Sequence, residues 1–384
     1  MKEQLTIILA LFISISVYGQ KTDTITFFSQ TLQQERTVYI ITPEFYKYQS
    51  DSVKLPVIYI LDGQHEWFVN PLLTTVKYLQ YTHEIPQALL VVIPHNDRNS
   101  ECTIESIQGE VLPLHNFITE DIETQLMAYN PNKFRVIIGH SFSASFALYS
   151  YLKSKEFYSS VIANTPLDHF EELVKEFEIS KNTDYRKISI SIGGIDMDKD
   201  YYHRQEFDKL KVKYSSFFDS INIFLADKSA HNAVPIVSTP FFLTNIFADF
   251  SSRYSEIAKV NAEYKLIEIP KSVKAELAKI EQASLIGHSK YCPEIPEING
   301  IASRYLSSGL NQYGISIYEM GLEYFPKYYE FHLVLYELYL PTDKIKAKHH
   351  LNTAKKLIVK MENDLPEQQE ILNEIDNEHK KNGW

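Results

Sequence analysis

The chain has 384 residues, is 44% hydrophobic and carries a formal charge of −11 at pH 7. That length accommodates a full core plus a second module, and the acidic balance argues against a nucleic-acid partner. No histidine or cysteine cluster has metal-ligand spacing and no glycine-rich phosphate loop occurs, so neither a metal nor a cofactor is expected. Lys2 precedes an apolar run from Leu5 to Val17, followed by Tyr18-Gly19-Gln20. The run is too short to span a bilayer and reads as a secretory signal peptide (1–19), with a retained membrane anchor as the second reading. The mature protein is expected in the periplasm or outside the cell, where disulfides form. Spacing alone does not decide whether the only cysteines, Cys102 and Cys292, pair.

From Thr24 to Thr42 the pattern alternates and is rich in Ile, Val, Thr, Phe and Tyr, which predicts an antiparallel hairpin at the edge of a sheet. Leu55 to Leu61 is a buried strand that empties into Asp62-Gly63-Gln64-His65. Leu89 to Ile93 is another, emptying into Pro94-His-Asn-Asp-Arg98. Loops at the carboxyl ends of parallel strands line the crevice where ligands bind. His65, His95 and Arg98 are therefore candidates to contact a substrate, although a loop arginine also commonly ties down neighbouring carbonyls. His115 to Tyr129 carries apolar residues at helical spacing.

Phe134 to Ile138 suits a doubly buried strand, and Ala144, Phe146, Ala147, Leu148, Tyr151 and Leu152 recur at helical spacing. Between them, Gly139-His140-Ser141-Phe142-Ser143 fits the nucleophile elbow G-x-S-x-G except at its last position, where serine replaces glycine and is expected to crowd the turn mildly. A strand followed by a helix N-cap serine is the plainer alternative. In the elbow reading Ser141 is the nucleophile, Phe142 supplies one oxyanion N–H, and His140 beside it is a candidate substrate contact. Further strands are predicted at Tyr158–Ala163, Ile188–Ile192 and Ile221–Ala226. They end at Asn164-Thr-Pro166, at Gly193-Gly-Ile-Asp-Met-Asp198 and at Asp227-Lys-Ser-Ala-His231.

Tyr59-Ile-Leu-Asp-Gly63, Asn96-Asp-Arg98, Gly139-His-Ser-Phe142, Thr165-Pro166, Gly193-x-x-Asp196 and His231 together resemble the esterase branch of the α/β-hydrolase superfamily. That branch includes siderophore (enterochelin-type) esterases, esterase D and feruloyl esterases, and the resemblance covers roughly residues 25–250. It implies an α/β-hydrolase fold and a carboxylic ester substrate, of siderophore, acylated-sugar or hydroxycinnamoyl type. Ser141, an acid and His231 follow the chain order of that fold, each at the end of its own strand. Gln64 is the second candidate oxyanion donor. The family spacing puts the acid at Asp196, with Asp198 second and an acid-free serine–histidine pair third.

Beyond about Ser251 the chain turns helical, charged and tyrosine-rich. Ala302, Tyr305, Gly314, Tyr318, Gly321 and Pro326 are spaced like a tetratricopeptide repeat (TPR-like), and Tyr336, Tyr339, Ala347, Leu351 and Ala354 like an imperfect second copy. A plain helical hairpin is the alternative. The expected layout is an esterase domain over 20–250, a helical linker over 251–296 and a TPR-like helical module over 297–384, docked on the esterase domain or on a partner protein. The functional reading is an exported serine esterase. An acyltransferase with the same triad, and a non-catalytic binding protein with a decayed elbow, are the alternatives.

Overall fold

The computed structural model describes residues 21–180, 184–194, 198–361 and 368–384. The expected signal peptide (1–19) and Asp196 lie outside the described residues. No helix among those described is long and apolar enough to cross a membrane.

Eight strands form one sheet: β1 (Lys21–Ser29), β2 (Gln34–Thr42), β3 (Leu55–Ile60), β4 (Leu89–Val92), β5 (Pro131–His140), β6 (Ser160–Asn164), β7 (Ile188–Gly193) and β8 (Asn222–Ala226). Their spatial order is β1-β2-β4-β3-β5-β6-β7-β8. The β1–β2 and β2–β4 pairs are antiparallel and every later pair is parallel. This is the mostly parallel sheet of an α/β-hydrolase.

Side chains alternate across a strand, so each buried strand feeds two cores. Val57, Tyr59 and Leu61 face one apolar cluster while Ile58 and Ile60 face the other, and Val91 and Val92 divide in the same way. The second core is closed by helix α1 (Glu66–Tyr81), through Phe68, Leu72 and Val76. Opposite it, helix α3 (Phe142–Lys153) buries Phe146, Ala147 and Tyr149 in the first core. A short helix, α2 (Arg98–Cys102), lies between α1 and α3 in the chain. Helix α4 (Phe170–Ile179) follows β6 and α5 (Asp198–Lys213) follows β7. After β8 comes α6 (Val234–Ile246), which packs Phe242 and Leu243 beside α1 in the second core.

Between the eight-stranded domain and the last helices lie helix α7 (Val273–Ala283) and a two-stranded ribbon of Leu285–Ile286 with Ser289–Lys290. Helices α8 (Ile295–Ser307), α9 (Asn311–Tyr324), α10 (Tyr329–Tyr339), α11 (Lys344–Val359) and α12 (Gln368–Asn382) follow. Small residues let them approach closely: a Cβ on Gly314 would lie 2.5 Å from Leu306, and one on Gly321 would lie 2.8 Å from Phe331. These helices rest on the eight-stranded domain itself. Ser50 N–H donates to the Tyr324 carbonyl at 2.8 Å, and the Tyr48 ring meets that of Tyr328 at 5.2 Å. Cys102 and Cys292 are both free thiols.

Candidate active site

The apolar register of β5 stops at His140, and Ser141 enters α3 with φ 63° and ψ −122°. A non-glycine residue in such a region costs about 1–3 kcal/mol unless its surroundings hold it there. Here Ser141 N–H donates to the Asn164 carbonyl at 2.9 Å, and the Ser141 carbonyl accepts from Ala144 at 3.0 Å. Gly139 is obligatory, since a Cβ there would lie 2.2 Å from the Ser143 carbonyl oxygen. Ser141 thus occupies a sharp strand-to-helix turn, as an elbow requires.

Ser143 does not crowd this turn, contrary to the sequence expectation. Its side chain is fully buried, its oxygen accepts from the His140 N–H at 2.9 Å, and its hydroxyl donates to Asp62 Oδ2 at 2.5 Å. Asp62, at the end of β3, has φ 62° and is completely buried. Arg98 grips it through Nε at 2.5 Å and Nη2 at 3.1 Å, and Nη2 also donates to the His140 carbonyl at 2.7 Å. Burial pushes the Asp62 carboxyl up, but the hydrogen bond and charge of Arg98 and the Ser143 hydroxyl outweigh it and hold the acid below its ordinary range. Three loops are thereby clamped together beneath Ser141.

Two sequence expectations change with this clamp. Arg98 is committed to Asp62 and to a carbonyl, not to a substrate. His95 is equally unavailable: its side chain has 0% exposure, with Nδ1 2.9 Å from Glu101 and Nε2 3.7 Å from Asp62. Glu101 in turn pairs with Arg36 at 3.0 Å. The reason is register, because residues just past β4 turn down into the protein at α2 and not out into the crevice.

His231 opens a one-turn helix after β8. Its carbonyl lies 3.1 Å from His140 Nε2, and the two rings are 4.6 Å apart. A carbonyl only accepts, so His140 carries its proton on Nε2. Burial, then the neighbouring His231, lower the His140 pKa to about 3. His140 is a neutral brace for the histidine loop, which corrects its expected contact with substrate. The His203 ring of α5 stands 5.7 Å from that of His231.

Gly193 and Gly194 matter for closeness more than for turning. A Cβ on Gly193 would lie 2.7 Å from the Ser229 carbonyl oxygen, and one on Gly194 would lie 2.8 Å from the Asp227 Cα. Gly194 N–H also donates to the Ser229 carbonyl at 3.2 Å. The end of β7, where the acid is sought, is thus pressed against the histidine loop. Asp198 begins α5, and Asp227, just after β8, is paired with Arg204 at 2.7 Å.

Phe142 begins α3, so its N–H is among those that have no intrahelical acceptor. Gln64 is fixed by its side chain, whose Oε1 accepts from His95 N–H at 2.9 Å. His65 is half-buried and its ring stacks at 5.6 Å on Trp67, which is 51% exposed and 6.0 Å from His140. Sequence reasoning passed over Trp67 and the buried Asn164. Asn164 Oδ1 accepts from Ser191 at 2.8 Å and from Ser238 of α6 at 2.7 Å, tying the strand ends to the helix that carries the histidine loop.

Residues 29–194 match the Esterase family, described as "Putative esterase". An IroE-like serine hydrolase from Shewanella oneidensis is similar in fold, with a TM-score of 0.57 and 14% identity, over 79% of this chain and 98% of the other. An uncharacterised protein from Capnocytophaga ochracea is similar over 93% of this chain and 100% of its own, with a TM-score of 0.54 and 14% identity. The second likeness takes in the C-terminal helices. No curated protein sequence matches the chain.

Proposed function

We infer that this chain, whose residues 29–194 match the Esterase family on an α/β-hydrolase fold, is a carboxylic ester hydrolase that uses Ser141 as its nucleophile and His231 as its base. The observation that carries the reading is the Ser141 backbone, held at φ 63° between β5 and α3 and packed through His140 against the histidine loop.

In this reading His231 takes the Ser141 proton as Oγ attacks the ester carbonyl. The oxyanion is held by the N–H groups of Phe142 and Gln64, each worth roughly 3 to 4 kcal/mol in comparable sites. Collapse expels the alcohol, which takes the proton back from His231. Water then attacks the acyl-enzyme with the same base and releases the acid. The acid that orients His231 is assigned to Asp196, with Asp198 second.

The rim of Trp67 and His65 beside the elbow favours an ester with an aromatic or flat acyl group, of siderophore or hydroxycinnamoyl type, over a small acylated sugar. The apolar N-terminal stretch supports export, with hydrolysis outside the cytoplasm. An ester panel tests the substrate reading. Methyl ferulate and a catecholate ester should exceed p-nitrophenyl acetate in kcat/KM relative to their uncatalysed rates, and Trp67→Ala should remove that advantage. Equal preference in the wild type would reject an aromatic substrate.

A further inference from the structure

At the other end of the sheet from Ser141, the C-terminal helices close over a cavity of about 610 Å³. Its floor is the start of β3 at Leu55 and Pro56, and its roof includes Asn299 of α8 and Tyr328 to Glu330 at the start of α10. One strand length, about 20 Å for six residues, separates it from the elbow. The proposed hydrolysis uses no part of it.

The lining is rich in rings and in acceptors. Phe45 and Tyr48 both meet Tyr328, at 6.0 and 5.2 Å. Gln49 Oε1 and Asn299 Oδ1 are buried without a protein donor, and both residues face the cavity. Glu44 and Glu330 also line it. Burial raises both carboxyls, although Lys77 opposes the effect at Glu44 and the Tyr328 hydroxyl, donating at 2.7 Å, opposes it at Glu330.

Leaving a buried acceptor unpaired is costly, and a ligand that supplies donors removes that cost. Aromatic faces and carboxylates together attract a cation. An anion would meet Glu44 and Glu330, while Glu294 is already paired with His83 at 3.0 Å and Lys54 and Lys77 are the lining lysines.

We propose that this cavity is a second binding site, for a small protonated amine with an apolar or aromatic body. The ammonium N–H groups pair with Gln49 Oε1 and Asn299 Oδ1 and its charge faces Glu330, while the body packs on Tyr48 and Tyr328. Because the cavity lies between the esterase fold and the helical module, occupancy also fastens one to the other.

Calorimetry on the full chain tests this with four probes that share a phenyl body: phenethylamine, benzyltrimethylammonium, 2-phenylethanol and phenylacetate. The expected order is phenethylamine first, at one site per chain, with benzyltrimethylammonium weaker because it has charge but no N–H donor, and no binding by phenylacetate. Asn299→Ala and Gln49→Ala should each weaken phenethylamine about tenfold or more while p-nitrophenyl acetate hydrolysis stays at the wild-type rate. The wild-type protein gives a second readout that needs no variant: Cys292 lines the cavity, so phenethylamine should slow its alkylation by N-ethylmaleimide. No binding by the amine, equal binding by phenylacetate, or binding without protection of Cys292 would each overturn the proposal.

Discussion

The hydroxyl of Ser143 lies 2.5 Å from the carboxylate of Asp62, 81 positions earlier in the chain, and both groups are buried directly beneath the elbow. The serine that departs from the G-x-S-x-G pattern therefore works as a strut. It joins the loop after β3 to the first turn of α3, and Arg98 completes the joint.

Ser143→Gly, which restores the family pattern, should lower activity as well as stability. It removes a donor from a buried carboxylate, and the expected loss is roughly 1–3 kcal/mol. A urea melt and kcat on p-nitrophenyl acetate measure both. Unchanged values in the glycine variant would reduce Ser143 to a filler.

Arg98→Ala should be the more damaging change. It strands the Asp62 charge in the interior, at a cost of about 3–5 kcal/mol for a broken buried pair. Asp62→Asn with Arg98→Met should recover part of that loss, because removing both charges leaves neither uncompensated. Additive losses in the double-mutant cycle would contradict the coupling.

The clamp also marks the limit of what the sequence makes legible. Strands β3, β4 and β5 announce themselves as apolar runs, because strands covered on both faces have no polar side to show. Gly139 and the helical spacing after Ser141 place the elbow for an equally local reason. The roles of Asp62, Arg98 and His95 are not local. Arg98 is 36 positions from Asp62 and His140 is 91 from His231, and no periodicity encodes which buried groups meet across a sheet. Loop position alone therefore sent His95, Arg98 and His140 to the substrate, when all three turn inward to fix the loops that face it. Trp67 escaped notice because an exposed aromatic at a helix start resembles ordinary surface.

The choice of acid is open to direct measurement. If Asp196 orients His231, Asp196→Asn should leave the fold intact and reduce turnover by up to roughly 10⁴-fold through the wrong imidazole tautomer. Asp198→Asn should cost little. The reverse pattern would move the role to Asp198, and full activity in the double variant would establish a serine–histidine pair.

Mild acid should destabilise the protein through its buried histidines. His332 and His350 face each other with Nδ1 atoms 2.9 Å apart, and burial lowers both pKa values to about 4. His115 is lowered by burial to about 4 as well. An unfolded histidine titrates near roughly 6.5, so between that value and 4 the unfolded chain binds more protons and stability falls with pH. Glu297, raised by burial to about 7, acts in the opposite sense, its contribution being greatest at low pH and lost as pH rises through 7. His140, lowered to about 3, adds to the three histidines, while Glu44, Glu330, Glu337 and His83 are raised by smaller shifts that side with Glu297. The four lowered histidines outweigh these groups, so the urea midpoint should drop between pH 7.5 and 5. The His332→Asn/His350→Asn variant should flatten that drop, and a midpoint that rises on acidification would refute the assignment.

The central claim is that Ser141 is a working nucleophile, and a fluorophosphonate probe followed by peptide mapping tests it most directly. The account predicts a single labelled serine at Ser141, no labelling of Ser141→Ala, and loss of p-nitrophenyl acetate hydrolysis in that variant. Labelling at another serine, or no labelling of protein with a native circular dichroism spectrum, would contradict it.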